Sequence, residues 1–551
     1  MTEVPRPRAS TPSPHRNEAF AGRLATTIVV LGSLATVAGR FVVRSPLWLD
    51  EALSVDIARL PLDRLGTALR HDGHPPLYYV LLHAWMSLFG TGTGAVRALS
   101  GLISLLMLPL GYLLGRRIAG HRLGLTVGLV LATSPFVFRY GSETRMYSLV
   151  MVEVLVGWLC VLTVIGTPQA GDTHERGERS GSLTQAQTDP TPRRPPLGPL
   201  VGIGLSTAAL LWTHYWSIWL LMAAGITILV GAVRSHRRHD RNGLVAGLAT
   251  LAAAATGALA FVPWVPSLLY QSAHTGTPWA EAFRPTTLVI TSLVDFAGGP
   301  YSEPQLAMLL LFALLVIGVF GRGLDERRIE LDFHTHRLAR APLALIVGTI
   351  TIASIVAIVN HMGFASRYAA VFFPFVALLV ALGLDQFLDG RVRDVVVVSF
   401  VVASLVGSAF VLRIDRTQAG VVAERIRATT SSGLVVTCPD QLGPATSRAL
   451  AGSGMKVVTY PRLGSPLVVD WVDYQRRNRR NDPVAVARRV LAMAADRPVF
   501  VVMNDTYLTL EGQCQAMVDE LARHRPARTL VQMQPKDYFE SMSLVELSPA
   551  Q

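Results

Sequence analysis

Long apolar runs separated by short polar segments fill the first three quarters of this chain. A helical crossing of a bilayer needs about 20 predominantly apolar residues. Runs near that length lie at about 24–43, 98–115, 123–138, 147–166, 199–213, 216–233, 243–263, 305–320, 342–360, 368–385 and 394–412. The pattern predicts a polytopic α-helical membrane protein with about 11 transmembrane helices.

A shorter apolar run, Leu77 to Phe89, decides which side each later loop faces. At about 1.5 Å per residue it is short for a crossing, so we interpret it as an interfacial or re-entrant helix. The loops on the side of the N-terminus then hold 22 arginines in 100 residues, against 9 in 113 on the opposite side. Basic loops face the cytoplasm. A crossing helix at Leu77–Phe89, the alternative, would reverse this distribution.

This topology divides the chain into three parts in a plasma (inner) membrane. Residues 1–23 form a Pro-, Ser- and Arg-rich cytoplasmic N-terminus that we expect to be disordered. Residues 24–412 form the transmembrane domain, with a first outer loop at 44–97, a cytoplasmic loop at 167–198 and an outer loop at 264–304. Residues 413–551 lie outside the cytoplasm.

The pattern changes in residues 413–551. GLVVTCPDQ, KVVTYP and RPVFVVMND predict short buried strands, and PVAVARRVLAMAAD and CQAMVDELARH predict helices between them. This alternation predicts a small α/β domain. Cys438 and Cys514 would share its oxidising environment, where a disulfide and two free thiols are both open alternatives.

Composition agrees with a membrane protein. Half of the 551 residues are hydrophobic and 16% are charged. The mean hydropathy is +0.39. A net charge of +12 raises nucleic acid as a partner, but the basic loops are short and interrupted by spans, which excludes that class. The three cysteines form no C-x-x-C pair and predict no metal site.

Acids, arginines and aromatic residues gather in the loops predicted to face outward. WLDEALS supplies Asp50 and Glu51, and HDGHPP supplies His74. The remaining members are Arg139, Glu143, Arg145, Tyr147, His214, Tyr215, Arg367 and Tyr368. A carboxylate can accept the proton of a hydroxyl. An arginine can hold a departing phosphate in two parallel hydrogen bonds. Together they suit glycosyl transfer from a lipid phosphate.

Structural explanations compete for each of these residues. Ser45-Pro46 could begin a juxtamembrane helix with Asp50 and Glu51 on its surface. Arg139 and Arg145 could anchor helix ends at headgroups. His214 and Tyr215 fit the aromatic belt. An acid inside a span, Glu153, is harder to explain, because such acids usually face a polar cavity.

The order WLDEALS, HDGHPPLYYVLLHAW, RYGSETRMYSLV, WTHYWSIWLL and SRYAAVFFPFVALLVALGL resembles the GT-C membrane glycosyltransferases of the bacterial protein-mannosyltransferase and aminoarabinose-transferase type. The resemblance spans residues 24–412. It implies a polyprenyl-phosphate sugar donor, a hydroxyl acceptor on an envelope glycan, lipid or protein, and inverting transfer at the outer face.

The resemblance also implies roles for individual residues. Asp50 matches the catalytic base, with Glu51 and Glu143 as further catalytic acids. Arg145, Arg139 and Arg367 match lipid-phosphate ligands, and substrate contacts are expected from His74, Tyr147, His214, Tyr215 and Tyr368. Some relatives hold the phosphate with a lysine where this chain has His74. Asp50 and Glu143 are too few ligands to predict a metal, so a divalent cation is left open.

Two other classes of function remain as alternatives. A transporter or flippase of a lipid-linked saccharide would also use arginines and an intramembrane acid, but the chain shows no inverted repeats. A non-enzymatic scaffold for envelope assembly would leave the loop acids without a role. The sequence does not distinguish mannose from other hexoses or pentoses as the transferred sugar.

Overall fold

The computed structural model describes residues 14–166, 194–277, 284–299, 304–325, 328–360, 363–388 and 390–549. Most of the predicted N-terminal segment 1–23, most of the loop 167–198 and part of the loop 264–304 lie outside these ranges. The described chain comprises a helical membrane half, up to Arg413, and a C-terminal α/β region.

Helices build the membrane half. They are α1 (Pro14–Gly39), α2 (Leu49–Ala58), α3 (Leu62–Asp72), α4 (Leu77–Phe89), α5 (Thr93–Ala119), α6 (His121–Thr133), α7 (Pro135–Gly141), α8 (Tyr147–Ile165), α9 (Leu197–Thr213), α10 (Ser217–Arg237), α11 (Arg241–Leu259), α12 (Val265–His274), α13 (Pro285–Phe296), α14 (Pro304–Phe320), α15 (Arg340–Asn360), α16 (Phe373–Asp385) and α17 (Arg391–Arg413). A hairpin of β1 (Gly321–Asp325) and β2 (Arg328–Leu331) follows α14. Short 3₁₀ turns lie at Val262–Trp264, Arg337–Ala339 and Ser366–Val371.

The multi-pass helical architecture is confirmed, but the number of crossings is not. In the described chain, seven helices are long and apolar enough to cross a membrane, or eight if α6 and α7 form one bent span. Three predicted crossings, at 199–213, 305–320 and 368–385, correspond to shorter apolar helices. Eleven crossings therefore stays a prediction, as does the interfacial placement of α4.

The bend between α6 and α7 has a local cause. The two axes meet at 56°. The break falls at Ser134, whose side chain accepts a hydrogen bond from the Val137 N–H, and Pro135 opens α7. Proline has no N–H for the preceding turn and fits the first position of a new helix. The bend redirects the chain into the segment RYGSETR, which holds the candidate residues Arg139, Glu143 and Arg145.

The C-terminal region confirms the predicted α/β class. Its elements are β3 (Asp415–Thr417), α18 (Ala419–Thr429), β4 (Leu434–Cys438), α19 (Gly443–Ala449), β5 (Lys456–Thr459), α20 (Tyr474–Asn478), α21 (Pro483–Ala494), β6 (Val499–Met503), α22 (Gln513–Ala522), β7 (Ala527–Val531), β8 (Tyr538–Glu540) and β9 (Ser543–Leu547), with a 3₁₀ turn at Asp440–Leu442. Five strands form one sheet in the order β5-β4-β6-β9-β7.

The core of this sheet explains why its strands are continuous apolar runs. β5, β4 and β6 are parallel, and every residue of β4 and β6 is buried. Parallel strands covered on both faces favour such sequences. Cys438, at the end of β4, forms a disulfide with Cys514 of α22, which resolves that alternative in favour of the bond.

Strands β3 and β8 form a separate two-stranded parallel sheet, which we call the ribbon. In its register Asp415 lies opposite Tyr538 and Thr417 opposite Glu540. The first strand follows α17 directly, and the second precedes β9. The ribbon packs against the segment 45–49 of the membrane half through the contacts described below.

Candidate active site

The short helix α2 carries the first two candidate acids at its N-terminus. It begins at Leu49, not at Ser45-Pro46, so the alternative of a helix capped by Ser45 is wrong. The Ser45 hydroxyl instead accepts a hydrogen bond from the Arg416 backbone N–H at 2.9 Å. Trp48 occupies the cap position and its side chain makes no capping hydrogen bond.

Asp50 faces two arginines. Its Oδ2 lies 3.4 Å from Arg367 Nη2 and 4.0 Å from Arg145 Nη2. Its side chain is 15% exposed, the highest value among the three candidate acids. These ion pairs are long for charge-assisted hydrogen bonds, which measure about 2.7–2.9 Å. Asp50 therefore combines two positive neighbours with a partly exposed side chain.

Arg145 is held by a buried polar network. Its Nη1 donates to the Ser54 hydroxyl at 3.0 Å, and its Nη2 donates to His74 Nε2 at 3.0 Å. Since arginine only donates, His74 Nε2 accepts and Nδ1–H donates to Asp72 Oδ2 at 2.8 Å. Tyr79 donates to the same Asp72 oxygen at 3.0 Å. The chain of contacts fixes the guanidinium beside Asp50.

Neighbouring charges set the ionisation of this network. Burial acts to lower the pKa of Arg145, but Asp50 and nearby tyrosines outweigh it and raise that pKa. The pKa of Arg367 is raised in the same way, chiefly by Asp50 against burial. Burial alone would raise the pKa of Asp72, yet His74 and Arg145 lower it. Both arginines are therefore charged at neutral pH.

Glu51 lies in a different environment from its neighbour Asp50. Its side chain is fully buried, and its two oxygens bind Arg97 Nε and Nη2 at 2.7 and 2.6 Å. It also accepts the Thr144 N–H at 2.9 Å. Burial opposes ionisation, but Arg97 outweighs it and lowers the pKa of Glu51. The contacts tie α2 to α5 and to residues 139–146, which we call the second loop.

Glu143 is also paired. Its Oε2 binds Arg416 of the ribbon, and its side chain is 1% exposed. Arg416 further donates to the Ser142 hydroxyl at 3.3 Å and to the Arg139 carbonyl at 3.4 Å. Glu143, the third candidate acid, is therefore joined to the C-terminal region rather than to Asp50.

Arg139 is farther from Asp50 in the network of contacts than the other two predicted phosphate ligands. Its Nη1 binds Asp295 Oδ1 of α13 at 3.2 Å, and Tyr140 donates to the other Asp295 oxygen at 2.9 Å. Its guanidinium also lies 5.3 Å from the centre of the Phe539 ring. Asp295 thus neutralises part of the charge that was predicted to face phosphate.

The predicted substrate residues divide into two groups. The rings of Tyr147, His214 and Tyr368 form a row with centroid separations of 5.7 and 5.4 Å. The Tyr147 hydroxyl is buried and has no hydrogen-bond partner among the residues that the structure describes. Tyr215 points elsewhere: its hydroxyl binds Gln271 of α12 and accepts from Trp264 at 2.8 Å.

His214 is neutral in this row. Burial lowers the pKa of its imidazole well below the usual value, and the positive charges of Arg145 and Arg367 lower it further. Its Nδ1 accepts the Trp216 N–H at 3.2 Å. The row therefore offers aromatic faces rather than a second acid beside Asp50.

The intramembrane acid Glu153 lies on α8 and is buried. The Thr213 hydroxyl donates to its Oε1 at 2.8 Å, while Oε2 has no hydrogen-bond partner among the described residues.

An apolar cavity of about 360 Å³ lies among α8, α9, α10, α11 and α15, lined by residues that include Val154, Trp158 and Leu210. Val154 follows Tyr147 by two helical turns, about 10 Å along α8.

Four residues close to the candidate acids were not predicted from the sequence. Arg97 pairs with Glu51, and Arg416, Phe539 and Glu540 reach the site from the ribbon. Arg97 lies at the end of the predicted first outer loop, 44–97, so its position in the sequence could have marked it as a candidate residue. The ribbon residues carry no motif.

The donor set does not favour a metal ion. Within the described ranges, no three His, Cys, Asp or Glu side chains come together in a group that could hold one. Glu143, the acid considered as a partner of Asp50 in binding a cation, is bound to Arg416. We therefore derive no step through a metal.

Two kinds of similarity to known proteins accompany this geometry. Residues 73–171 match the family model described as dolichyl-phosphate-mannose-protein mannosyltransferase. This segment includes His74, Arg139, Glu143, Arg145 and Tyr147, and it ends before the later loops. No curated protein sequence matches the chain.

The fold is similar to that of ArnT from Cupriavidus metallidurans. The structure bound to undecaprenyl phosphate has a TM-score of 0.55 and 14% sequence identity, covering 96% of this chain and 99% of that one. The apo structure has a TM-score of 0.52 at the same identity, covering 96% and 100%. At this identity the likeness concerns the fold. The chain therefore has the GT-C fold, joined to a mannosyltransferase-like sequence over residues 73–171.

Proposed function

We propose that this protein is a membrane glycosyltransferase that moves a sugar from a polyprenyl-phosphate donor to a hydroxyl group of an envelope acceptor. The observation that carries the proposal is the position of Asp50, a partly exposed acid beside the charged groups of Arg145 and Arg367. ArnT, which shares the fold, was crystallised with undecaprenyl phosphate. The match of residues 73–171 to a mannosyltransferase family favours a hexose or similar sugar.

In the proposed reaction Asp50 is the general base. It accepts the proton of the acceptor hydroxyl as the oxygen attacks the anomeric carbon, and the bond from that carbon to the phosphate oxygen breaks. One base is sufficient for this single displacement, which inverts the configuration of the sugar. Glu51 and Glu143 are each bound to an arginine, so we assign them structural roles.

Arg145 and Arg367 hold the phosphate that leaves. A guanidinium offers several N–H donors in a plane, and it stabilises negative charge as that charge develops on the leaving oxygen. His74 and Ser54 fix Arg145 in place before the substrate arrives. The apolar cavity beside α8 provides a surface suited to the isoprenoid chain of the donor.

The proposal is tested with purified protein, a panel of radiolabelled polyprenyl-phosphate sugars, and an envelope extract of glycan, lipid and protein that supplies the acceptor hydroxyl. We expect one donor to be consumed, and Asp50→Ala to consume it at least about a hundredfold more slowly. If the intact protein binds a donor but moves it only across vesicle membranes without cleaving it, the transporter alternative is correct. If no donor is bound or consumed, the transferase proposal is wrong.

A further inference from the structure

The ribbon of β3 and β8 reaches the N-terminal end of the helix that carries Asp50. Glu540 is the last residue of β8, and its Oε1 accepts the Leu49 backbone N–H at 3.2 Å. Leu49 is the first residue of α2, so Asp50 is the second. A residue near the end of the chain thus contacts the backbone next to the proposed base.

This hydrogen bond supplies the cap that α2 lacks locally. The first N–H groups of a helix have no partner within the helix and are usually satisfied by the residue before it. Trp48 occupies that position without a side-chain hydrogen bond. Glu540 therefore caps α2 from another domain, and its removal would leave a buried N–H without an acceptor.

Neighbouring contacts of the ribbon restrain the same segment. The ring of Phe539 packs edge-on against Trp48, with centroids 4.9 Å apart. The Arg416 backbone N–H donates to Ser45, and its side chain binds Glu143. The ribbon thus contacts α2, the chain before it and the second loop.

The charges around Glu540 favour its protonated form. The groups that act on it are Asp50 and Glu51 of α2, the Leu49 N–H, Thr417 of β3 and Tyr507. Burial raises the pKa of Glu540 to about 8, and the negative charges of Asp50 and Glu51 add to this effect. The Thr417 hydroxyl and the Leu49 N–H act in the opposite direction but do not outweigh burial. Among the described residues, no donor or acceptor forms a hydrogen bond with the buried Glu540 Oε2. At neutral pH the side chain is mostly uncharged.

We propose that Glu540 is a positioning residue for the transferase reaction, and that its hydrogen bond to the Leu49 N–H holds the start of α2 so that Asp50 meets the acceptor hydroxyl. The inference rests on the proposed function. A neutral carboxyl accepts the Leu49 N–H without adding negative charge beside Asp50. An ionised Glu540 would repel Asp50, so raising the pH through about 8 is expected to disturb the position of the base.

Two substitutions of Glu540 distinguish the effect of its hydrogen bond to Leu49 from the effect of its charge. Glu540→Gln keeps an oxygen that can accept the Leu49 N–H and cannot ionise. Glu540→Ala removes the acceptor. We expect Glu540→Gln to keep kcat within about twofold at pH 7, and Glu540→Ala to lower it by at least about tenfold, since small displacements of a catalytic group are costly. The KM for the donor is expected to change little, because the phosphate ligands are untouched.

The pH profile reports the charge of Glu540, and it is recorded only at pH values where each protein is shown to be folded at the assay temperature, so that unfolding does not contribute to the fall. We expect kcat of the wild type to fall as the pH rises through about 8 and Glu540→Gln to lack that fall. Glu546→Ala is the matched control, since it removes a buried acid of the five-stranded sheet. The control is expected to keep the wild-type profile.

The outcomes decide between the two proposals. If the wild type turns over a donor and Glu540→Ala retains its full kcat, the positioning role is wrong. A Glu540→Gln profile with an unchanged alkaline fall would also overturn it, even if Glu540→Ala does not fold. If the wild type consumes no donor, the proposed function fails instead, and the backbone contact is then a structural cap alone.

Discussion

Asp50 and Glu51 are adjacent in the sequence, but the structure places them in two different regions. Asp50 belongs to an accessible region with Arg145 and Arg367, in ion pairs of 3.4 and 4.0 Å. Glu51 belongs to a buried region, bound to Arg97 at 2.6 and 2.7 Å. Successive side chains on a helix point about 100° apart. A rotation of about 100° around the axis of α2 therefore separates the group proposed for chemistry from the group that holds the loops together.

The number of carboxylates near a site does not identify which of them is the base. Glu51 and Glu143 are ionisable and lie close to the site, but each is committed to a buried arginine. A base must give up its present contact to accept a proton. Long ion pairs allow that exchange at lower cost than short bidentate ones in a buried site.

The largest effect on folding is expected from breaking the buried region. Glu51→Ala would leave the Arg97 guanidinium buried without its acid, at a cost of about 3–5 kcal/mol. We expect a large drop in the yield of monodisperse protein and in its melting temperature. Asp50→Ala, the matched control on the same helix, removes longer ion pairs of a more exposed side chain, so we expect it to lower the yield and the melting temperature less than Glu51→Ala does.

A second prediction concerns the phosphate ligands. Arg145→Gln and Arg367→Gln each remove charge-assisted hydrogen bonds of about 1.5–3 kcal/mol, so kcat/KM for the donor is expected to fall about tenfold to a hundredfold. Arg139→Gln should have a smaller effect, because Asp295 already neutralises part of its charge. Equal losses in all three variants would remove the distinction between the arginines.

A pH-dependent effect on stability is expected from the charge of Glu540. Its pKa in the folded protein is about 8, above the usual value near 4.5, so the folded state retains a proton that the unfolded state loses. Stability is therefore expected to fall as the pH rises from about 4.5 to about 8. Glu540→Gln has no such proton, and its melting temperature relative to the wild type should increase over this range.

The smallest predicted effect is that of the Tyr147 hydroxyl. It is buried without a partner in the structure, so Tyr147→Phe is expected to leave the melting temperature unchanged or slightly higher. If the hydroxyl contacts the donor or acceptor, kcat/KM should fall about threefold to tenfold, as for one hydrogen bond. Unchanged kinetics would limit Tyr147 to packing in the aromatic row.

Much of the fold could be predicted from the sequence, because helices and strands produce local patterns of apolar residues. The apolar runs predicted the long helices, and buried runs such as LVVTC predicted β4 and its neighbours in the C-terminal sheet. Crossing number was harder, because helices such as α16 are short and their apolar runs include 3₁₀ turns. Length alone does not tell a crossing helix from a partial one.

The pairings of the site could not be predicted in the same way. Motif order brought Asp50, Arg145 and Arg367 to attention, but nothing local distinguishes Asp50 from Glu51. That difference depends on Arg97, which lies 46 residues after its partner Glu51. The partner of Glu143 is likewise distant in sequence, since Arg416 lies 273 residues after it. The Leu49–Glu540 contact joins residues 491 apart and follows no periodic pattern.

The central claim, that Asp50 is the base, is tested most directly by the turnover of a polyprenyl-phosphate sugar by Asp50→Asn. The same preparation is assayed for binding of polyprenyl phosphate, so that loss of the site is distinguished from loss of the base. We predict that kcat falls about 10²–10⁴-fold while the affinity for the lipid changes little. Retention of half or more of the wild-type kcat by Asp50→Asn would contradict the assignment.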